Sequence, residues 1–528
     1  MEALYLAGTL STGAYILLSV AGTISRAVSL EALQTQLLPV TSYLKIYAAV
    51  LLIPVFRVLK AQWHYHRGTR IHGCQLLPAY PHKDPILGLD LLAKMLNALK
   101  EYRVLEQWEE NLAKYGRTHW ENATGSWYIL TSDKENVKAI LATQFDNFPI
   151  LSMRQKILGM ILGPRNIFST NGPEWHAGRA MIRPSFVRNQ IADLECTDRH
   201  VDLFLKKLPQ DGSHFDIDKL LYAFTMDVST DFMFGYSTNL LTTPDKEAIE
   251  FMEAFDTAGY IATTRARLGR LTAIVPNQKL DDAVKTCNHF IQQHVSKAMA
   301  NGGSKERPYV FLDQIVKSGA SHEVICNQIF AMILGGRDTS ASTMSSLLHT
   351  LARRPDVVAK IRTELAPLDG HKPTWEELKG LKYLNNVFKE TLRLYSPVST
   401  NMRTCNHDTV LPKGGGPDGQ APIFVPKGTD VRFSNHSLHR CKEWYGEDAE
   451  EFRPERWETL RPSWEYIPFS GGPRICIGQQ FALTQMTYLF TRLFQTFDKV
   501  ETTSTEPMKH RLTTTMSLVG GCWISLKK

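Results

Sequence analysis

The decapeptide "FSGGPRICIG", residues 469–478, constrains this chain more than any other stretch. It sets Cys476 two residues after Arg474 and between glycines, with Phe469 seven residues upstream. Downstream, Ile477, Phe481, Met486, Leu489, Phe490, Leu493 and Phe494 recur at helical spacing, which places Cys476 just before or at a helix N-terminus. There the helix dipole and the free backbone N–H groups favour thiolate over thiol. Gly472 and Gly478 remove side chains, so a flat ligand can approach the backbone. A thiolate beside a planar, backbone-proximal face suits a ligand to haem iron. A buried structural cysteine fits the same decapeptide, and the rest of the chain decides between them.

Three further constellations bear on that choice. In "KETLRLYSP" (389–397), Glu390 and Arg393 stand at i and i+3 on one helix face, within bidentate reach of each other or of a third partner. An ordinary solvated surface pair has the same spacing. "WHAGR" (175–179) places Trp175 and Arg179 on one face, both able to donate to an anion; core packing beside a surface charge is the plainer alternative. In "FAMILGGRDTSAST" (330–343), two glycines and Asp-Thr-Ser interrupt a strongly apolar helical pattern. Each glycine costs about 1 kcal/mol relative to alanine. A helix that gives up stability in its middle does so for a ligand or a functional distortion. Alternatively the helix ends there and a new one is capped at Asp338 or Thr339.

Membrane attachment and redox compartment are read from the N-terminus and the cysteines. Ala3–Ile24 carries no charge and is long enough to cross a bilayer, without the basic start of a cleaved signal peptide. Leu37–Phe56 is apolar apart from Lys45 and the hydroxyls of Thr41 and Ser42, and Arg57, Lys60, Arg67 and Arg70 follow it. Basic residues mark the cytoplasmic side, so residues 1–70 read as a membrane anchor of one or two segments and the chain beyond as cytosolic. An interfacial or core helix is the other reading of either segment. The eight cysteines are scattered with no CxxC pair, which fits reduced thiols. A net charge of +7 is spread along the chain. With no zinc-like spacing, phosphate loop or nucleic-acid module, it suits a membrane surface or an acidic protein and gives no case for nucleic acid.

Beyond residue 70 there are no repeats. Helical spacing covers 93–116, 190–208, 245–300 and 321–366, while "WYIL" (127–130) and "PIFV" (422–425) read as strands. "GCQLLPAYPHKDPILGLD" (73–90) joins anchor to globule, "NGGSKERP" (301–308) is a surface loop, and "KGGGPDGQ" (413–420) is a turn-rich excursion between two strand-like runs. The 43% hydrophobic content supports a large core. The expected catalytic domain, 71–528, is mainly α with minor β. Sequons at Asn122 and Asn435 are expected to stay unmodified on a cytosolic domain.

Taken together, these motifs resemble the cytochrome P-450 family from about residue 70 to the end. Phe469, Gly472, Arg474, Cys476 and Gly478 stand where its haem signature has them, with Ala482 extending it. "ETLR" is similar to its Glu-x-x-Arg motif, and "FRPERW" (452–457) supplies Arg456 as third member of a charged triad. "GGRDTS" is similar to its oxygen-activation motif, and "WHAGR" to its propionate-binding element. Arg403 lies ten residues after Arg393, where another propionate ligand is common. The resemblance implies the family fold and haem b with Cys476 as axial thiolate. It implies that Asp338 and Thr339 deliver protons, and that Trp175, Arg179, Arg403 and Arg474 hold the propionates. Glu390, Arg393 and Arg456 would form a structural triad, and a membrane-bound NADPH-dependent flavoprotein reductase would supply electrons, with the enzyme in the endoplasmic reticulum facing the cytosol.

Within the family, "KDPILGLDLL", "LPKGGGPDGQAPIFVPKGT", "YGEDAEEFRPERW" and "LTTTMSLVGG" resemble the fungal alkane-inducible branch. Its members hydroxylate alkanes or fatty acids near the chain end, so that is the expected activity. Gly335 stands where alanine is usual and Ser340 where a second threonine is common. "LGPRNIF" (162–168) departs from the usual glycine-containing turn, and Ser399 and Thr400 add hydroxyls. These changes make a tailoring oxidase of fungal secondary metabolism the alternative. A reductase-free haem-thiolate isomerase or dehydratase would have no use for Asp338 and Thr339, and a haem sensor or membrane interaction protein would tolerate Thr339→Ala.

Overall fold

Helix-breaking residues settle most element boundaries. A computed structural model describes residues 40–268, 276–300 and 310–528. The helical pattern over 93–116 becomes Leu89–Lys100 and Val104–Tyr115, parted where Tyr102 takes a left-handed φ of 59°. That over 321–366 becomes His322–Leu351 and Pro355–Leu365, because Pro355 lacks the N–H that continues a helix and is pre-shaped to start one. The helix Glu195–Lys207 falls within 190–208, and Lys246–Leu268 and Gln278–Ala300 within 245–300. The segment Ala3–Ile24 and the loop 301–308 lie outside the described residues.

The expected second crossing at Leu37–Phe56 is not supported. From Val40 the chain belongs to the helix Val40–Ile71, and no helix among the described residues is long and apolar enough to cross a membrane. Lys45 interrupts the apolar run, and Arg57 and Lys60 follow within the same helix.

The chain divides into two compact units. The first comprises the described residues up to Phe148 together with Met402–Ser434. Both strand-like runs are strands here, within Ser126–Thr131 and Ala421–Val425. Thr118–Ala123 pairs antiparallel with Ser126–Thr131, which pairs in parallel with Asp430–Ser434 (Ile129 opposite Val431), and Thr400–Thr404 closes that sheet. The turn-rich excursion links the antiparallel pair Thr409–Gly415 and Ala421–Val425, with Gly414 and Gly416 at positive φ.

The second unit is Pro149–Asn401 with Asn435–Lys528. Its axis is the central helix His322–Leu351, capped by the Ser321 hydroxyl, which accepts from the Val324 N–H. The helix runs unbroken through Gly335 and Gly336, so no new cap forms at Asp338 or Thr339. Tertiary packing outweighs the two glycines: a Cβ on Gly336 would meet Ser229 Oγ of the helix Ile217–Phe234 at 3.0 Å, and that close approach is what the glycine permits. Toward its C-terminus, Met344, Leu347, Leu348 and Leu351 join Phe388 and the buried face of the cysteine helix Gln479–Thr496 in one apolar core. Each such side chain contributes about 1.5–3 kcal/mol on burial.

Both sequons are closed by the fold itself. Asn122 is buried and donates to the carbonyls of Pro85 and Ile86; Asn435 is buried and donates to that of Val398. All eight cysteines are free thiols.

Candidate active site

Cys476 ends a strained loop. Ser470 and Gly472 have φ of 63° and 66°, a region that favours glycine, and the chain returns so that the Cys476 N–H donates to Phe469 O at 2.9 Å. Gly478 then stands at the N-cap of Gln479–Thr496 without a side-chain cap. A Cβ on Gly478 would meet only Phe186, at an ordinary 3.6 Å, so protein packing does not require glycine there and the space above it is left to a ligand.

The thiol is densely surrounded by protein yet exposed. Burial pushes its titration up, while the Gly478 backbone and the Arg179 charge pull it back, and burial wins. The Gly478 backbone and Arg179 act in the thiolate-favouring sense expected at a helix start, and burial opposes them.

Asp338 and Arg154 share the same signature of depth with residual exposure. Along the otherwise buried central helix, Leu334, Gly335, Gly336, Asp338 and Thr339 keep accessible surface. An internal slot accounts for all of these. The Phe168 ring lies 3.4 Å from where a Gly335 Cβ would stand, which ties the loop 162–168 to this strip.

Trp175 and Arg179 come from one face of the helix Gly172–Ile182, as their spacing predicts. Trp175 is buried, and the guanidiniums of Arg474 and Arg179 lie 4.3 and 5.9 Å from its ring centroid. Arg474 donates to Thr170 O at 2.8 Å and Asn171 Oδ1 at 2.9 Å. Burial, then the like charges of Arg154 and Arg179, push Arg474 down to about 9. Arg154 and Arg179 thus crowd Arg474 with like charge, an arrangement suited to an anion. Arg154, from the helix Ser152–Leu162, donates to Asn401 Oδ1 at 2.7 Å and was invisible in sequence, being one arginine in an unremarkable helical run. Arg403 belongs to the first unit, where it is buried and lies 6.0 Å from the Phe433 ring centroid.

On the central helix, the Thr339 hydroxyl donates to Gly335 O at 2.7 Å, one turn back. Asp338 pairs with Arg337 at 2.9 Å, and Arg337 also pairs with Asp256 of Lys246–Leu268. Burial pushes the Asp338 carboxyl up; Arg337 pulls it down, and Asp256 pushes it up again. Sequence reasoning missed this three-member chain, because Asp256 sits in an unrelated helical stretch.

The charged triad is wholly internal, which excludes a solvated surface pair. Arg393 donates through Nε and an Nη to the two oxygens of Glu390, both at 2.9 Å, and Arg456 Nε adds a bond at 2.8 Å. Trp457 Nε1 completes the carboxylate at 3.0 Å. His439, also missed, joins this cluster to the cysteine loop. Its Nε2 accepts from the Ile467 N–H at 2.9 Å, so its Nδ1 carries the proton that goes to Arg393 O.

These residues fit a haem. The thiol is accessible deep within the protein, the central helix keeps accessible surface at its two glycines, and an arginine cluster calls for anionic groups such as propionates. The comparisons agree: the Cytochrome P450 family model matches residues 87–520. Cytochrome P450 monooxygenase himC of Aspergillus japonicus is 38% identical over 91% of this chain and 88% of its own. Cytochrome P450 monooxygenase FPY7 of Fusarium mangiferae is 37% identical over 92% and 96%, and Cytochrome P450 52E1 of Candida apicola 36% over 82% and 89%.

Proposed function

Given that the chain belongs to the cytochrome P450 family and is a haem-thiolate monooxygenase, we propose that it hydroxylates an apolar chain, an alkane or fatty acid, at or near its end. The observation that carries this is the accessible strip of the central helix: Leu334, Gly335 and Gly336, with Phe168 against Gly335, offer a substrate only apolar or featureless surface. The segments that resemble the fungal alkane-inducible branch support the same substrate class. When bound, the haem supplies activation of dioxygen, one atom of which enters a C–H bond while the other leaves as water.

The protein's own residues prepare that chemistry. Cys476 would hold the haem iron through its thiolate. Trp175, Arg179 and Arg474, with Arg154 beside them, neutralise the propionates by charge-assisted hydrogen bonds, and the resemblance gives Arg403 the same role. Asp338 and Thr339 pass the two protons that water formation requires. Glu390, Arg393 and Arg456 keep the cysteine side rigid, with Phe469, Gly472 and Gly478 shaping the loop.

Two electrons come from NADPH through a flavoprotein reductase. A surface groove of about 780 Å³ supports its docking: Lys379, Lys382, Lys389 and Arg461 line it together with Gln480 and Leu483 from the first turn after Cys476. Attachment to the cytosolic face of the endoplasmic reticulum through residues 1–70 is supported by Phe56, Leu59 and Trp63, which are exposed at i, i+3 and i+7 beside Arg57 and Lys60.

A second reading, tailoring of a more polar metabolite, is favoured by the hydroxyls of Ser396 and Ser399, which are buried without a hydrogen-bond partner. The test supplies membranes carrying this chain and a reductase with NADPH and a mixture of alkanes and fatty acids. Products one oxygen heavier, hydroxylated at or near the terminus, support the first reading. Their absence from protein with an intact thiolate-haem carbon monoxide spectrum favours the second.

A further inference from the structure

Two helices well away from the cysteine loop in sequence bring three metal-binding side chains together. Cys196 and His200 stand one turn apart on Glu195–Lys207, and Asp231 comes from Ile217–Phe234. Donor atoms of all three lie within 4.8 Å of one another. A thiol and an imidazole at that separation can share a tetrahedral ion, whose bonds run about 2.0–2.3 Å, with a carboxylate backing the imidazole.

A buried carboxylate compensated by its neighbours is the plainer account, since His200 Nε2 and Arg199 both reach Asp231 Oδ2, at 2.8 and 2.7 Å. That account leaves one atom unexplained. His200 is 2% exposed, and its Nδ1 has no hydrogen-bond partner. An orphaned buried polar atom forfeits its hydration without a replacement bond, so it calls for a ligand. His200 and Asp231 also line a cleft of about 750 Å³, which gives an ion a way in and a water to complete its shell.

We propose that Cys196, His200 and Asp231 form a binding site for a divalent transition metal of the zinc type, separate from the haem. Nε2 keeps its proton against Asp231, the orphaned Nδ1 and the Cys196 sulfur are the direct donors, and the carboxylate orients the ring behind them. Binding displaces the Cys196 thiol proton to solvent, and the metal–sulfur bond replaces the S–H bond without a change in oxidation state. Arg199 competes for the same carboxylate, and its 39% exposed side chain can swing into solvent when the ion arrives.

The test uses chelator-treated, haem-loaded full-length protein. Zinc ion is the probe, and alkylation of each cysteine is followed by peptide mass spectrometry. Zinc is expected to slow labelling of Cys196 about tenfold or more, leave the half-buried Cys74 and Cys441 unchanged, and bind near one zinc per haem iron. His200→Ala should abolish the protection. Arg199→Gln, a change at a part-exposed position, should lower the zinc concentration needed; a charge-compensated structural aspartate would instead be loosened by that change, with no gain in zinc binding. Equal labelling of Cys196 with and without zinc, or protection that survives His200→Ala, overturns the proposal.

Discussion

Arg337 donates to the carboxylate of its chain neighbour Asp338 at 2.9 Å and, through the same nitrogen, to Asp256 on the adjacent helix. Asp256 thus divides the attention of a guanidinium that would otherwise serve Asp338 alone. Its negative charge also pushes the Asp338 carboxyl up. Asp256→Asn should therefore lower the Asp338 titration and make proton supply limiting first at high pH. Product formation is expected to fall several-fold at pH 8 and less at pH 6.5, whereas Asp338→Asn loses about a hundredfold at both. A pH profile for Asp256→Asn parallel to that of the unaltered enzyme would remove Asp256 from this role.

The two adjacent glycines of the central helix should respond differently to alanine. A Cβ at position 335 meets Phe168 at 3.4 Å, an ordinary contact, while one at 336 meets Ser229 Oγ at 3.0 Å and forces a shift. Gly335→Ala is expected to stabilise by up to about 1 kcal/mol through helix propensity. It should also alter the product distribution, because the methyl enters the slot beside Phe168. Gly336→Ala should give no such gain. Thermal midpoints and product ratios of the pair decide; equal stabilisation by both would show that the Ser229 contact imposes no constraint.

Glu390 is held by Arg393, Arg456 and Trp457, with the Arg453 backbone N–H as a further donor. Removing the carboxylate in Glu390→Ala leaves the buried Arg393 without its counter-charge and Arg456 with only Asp448 at 3.4 Å, a cost of about 3–5 kcal/mol. Arg393→Lys should fare little better, because a point charge cannot span both carboxylate oxygens. The expected result is a large drop in the thermal midpoint with loss of haem on purification. A haem-loaded Glu390→Ala protein of unchanged midpoint would refute the structural role.

How much of this was legible beforehand depends on how local each feature is. The cysteine loop, the Trp175–Arg179 pair and the Glu390–Arg393 pair lie within a few residues of each other, and spacing along one turn or helix face exposed them. Whether Glu390 was buried was not readable from its own helix, since Arg453, Arg456 and Trp457 that enclose it arrive from more than sixty residues away. Arg154, Asp256 and His439 were missed for the same reason: each acts across helices, and nothing around it in sequence sets it apart. The glycines of the central helix misled in a different way. Propensity allowed a break at Asp338, and packing against Ile217–Phe234 overrode it. The backbone and charge that favour thiolate at Cys476 were legible from its place at a helix start; the burial that opposes them was not, because it comes from packing by other elements.

Acid should weaken the protein through its buried histidines. His439 is held neutral, down to about 3, by burial and then by Arg393 and Arg440; His510 is likewise near 3 and His349 near 4, both mainly through burial, and His436 is depressed by the same cause. For a histidine depressed on folding, the unfolded chain takes up a proton near pH 6.5 that the folded one refuses. Its contribution is therefore complete above pH 6.5 and is lost as pH falls toward the folded value. Asp218 and Asp133, raised to about 6 chiefly by burial, act in the opposite sense between pH 6 and their unfolded value, because the folded state there binds the extra proton. His294 is depressed by burial as well, and Asp338 and Asp430 are raised by it, so five histidines stand against four aspartates and the net effect is a loss of stability as pH falls through 5. Thermal midpoints measured from pH 7 to 4.5 should fall steadily, and His349→Gln, which removes one titrating group from a half-buried position, should flatten that fall. A midpoint constant across the range would mean that these histidines reach water in the folded protein and are not held neutral.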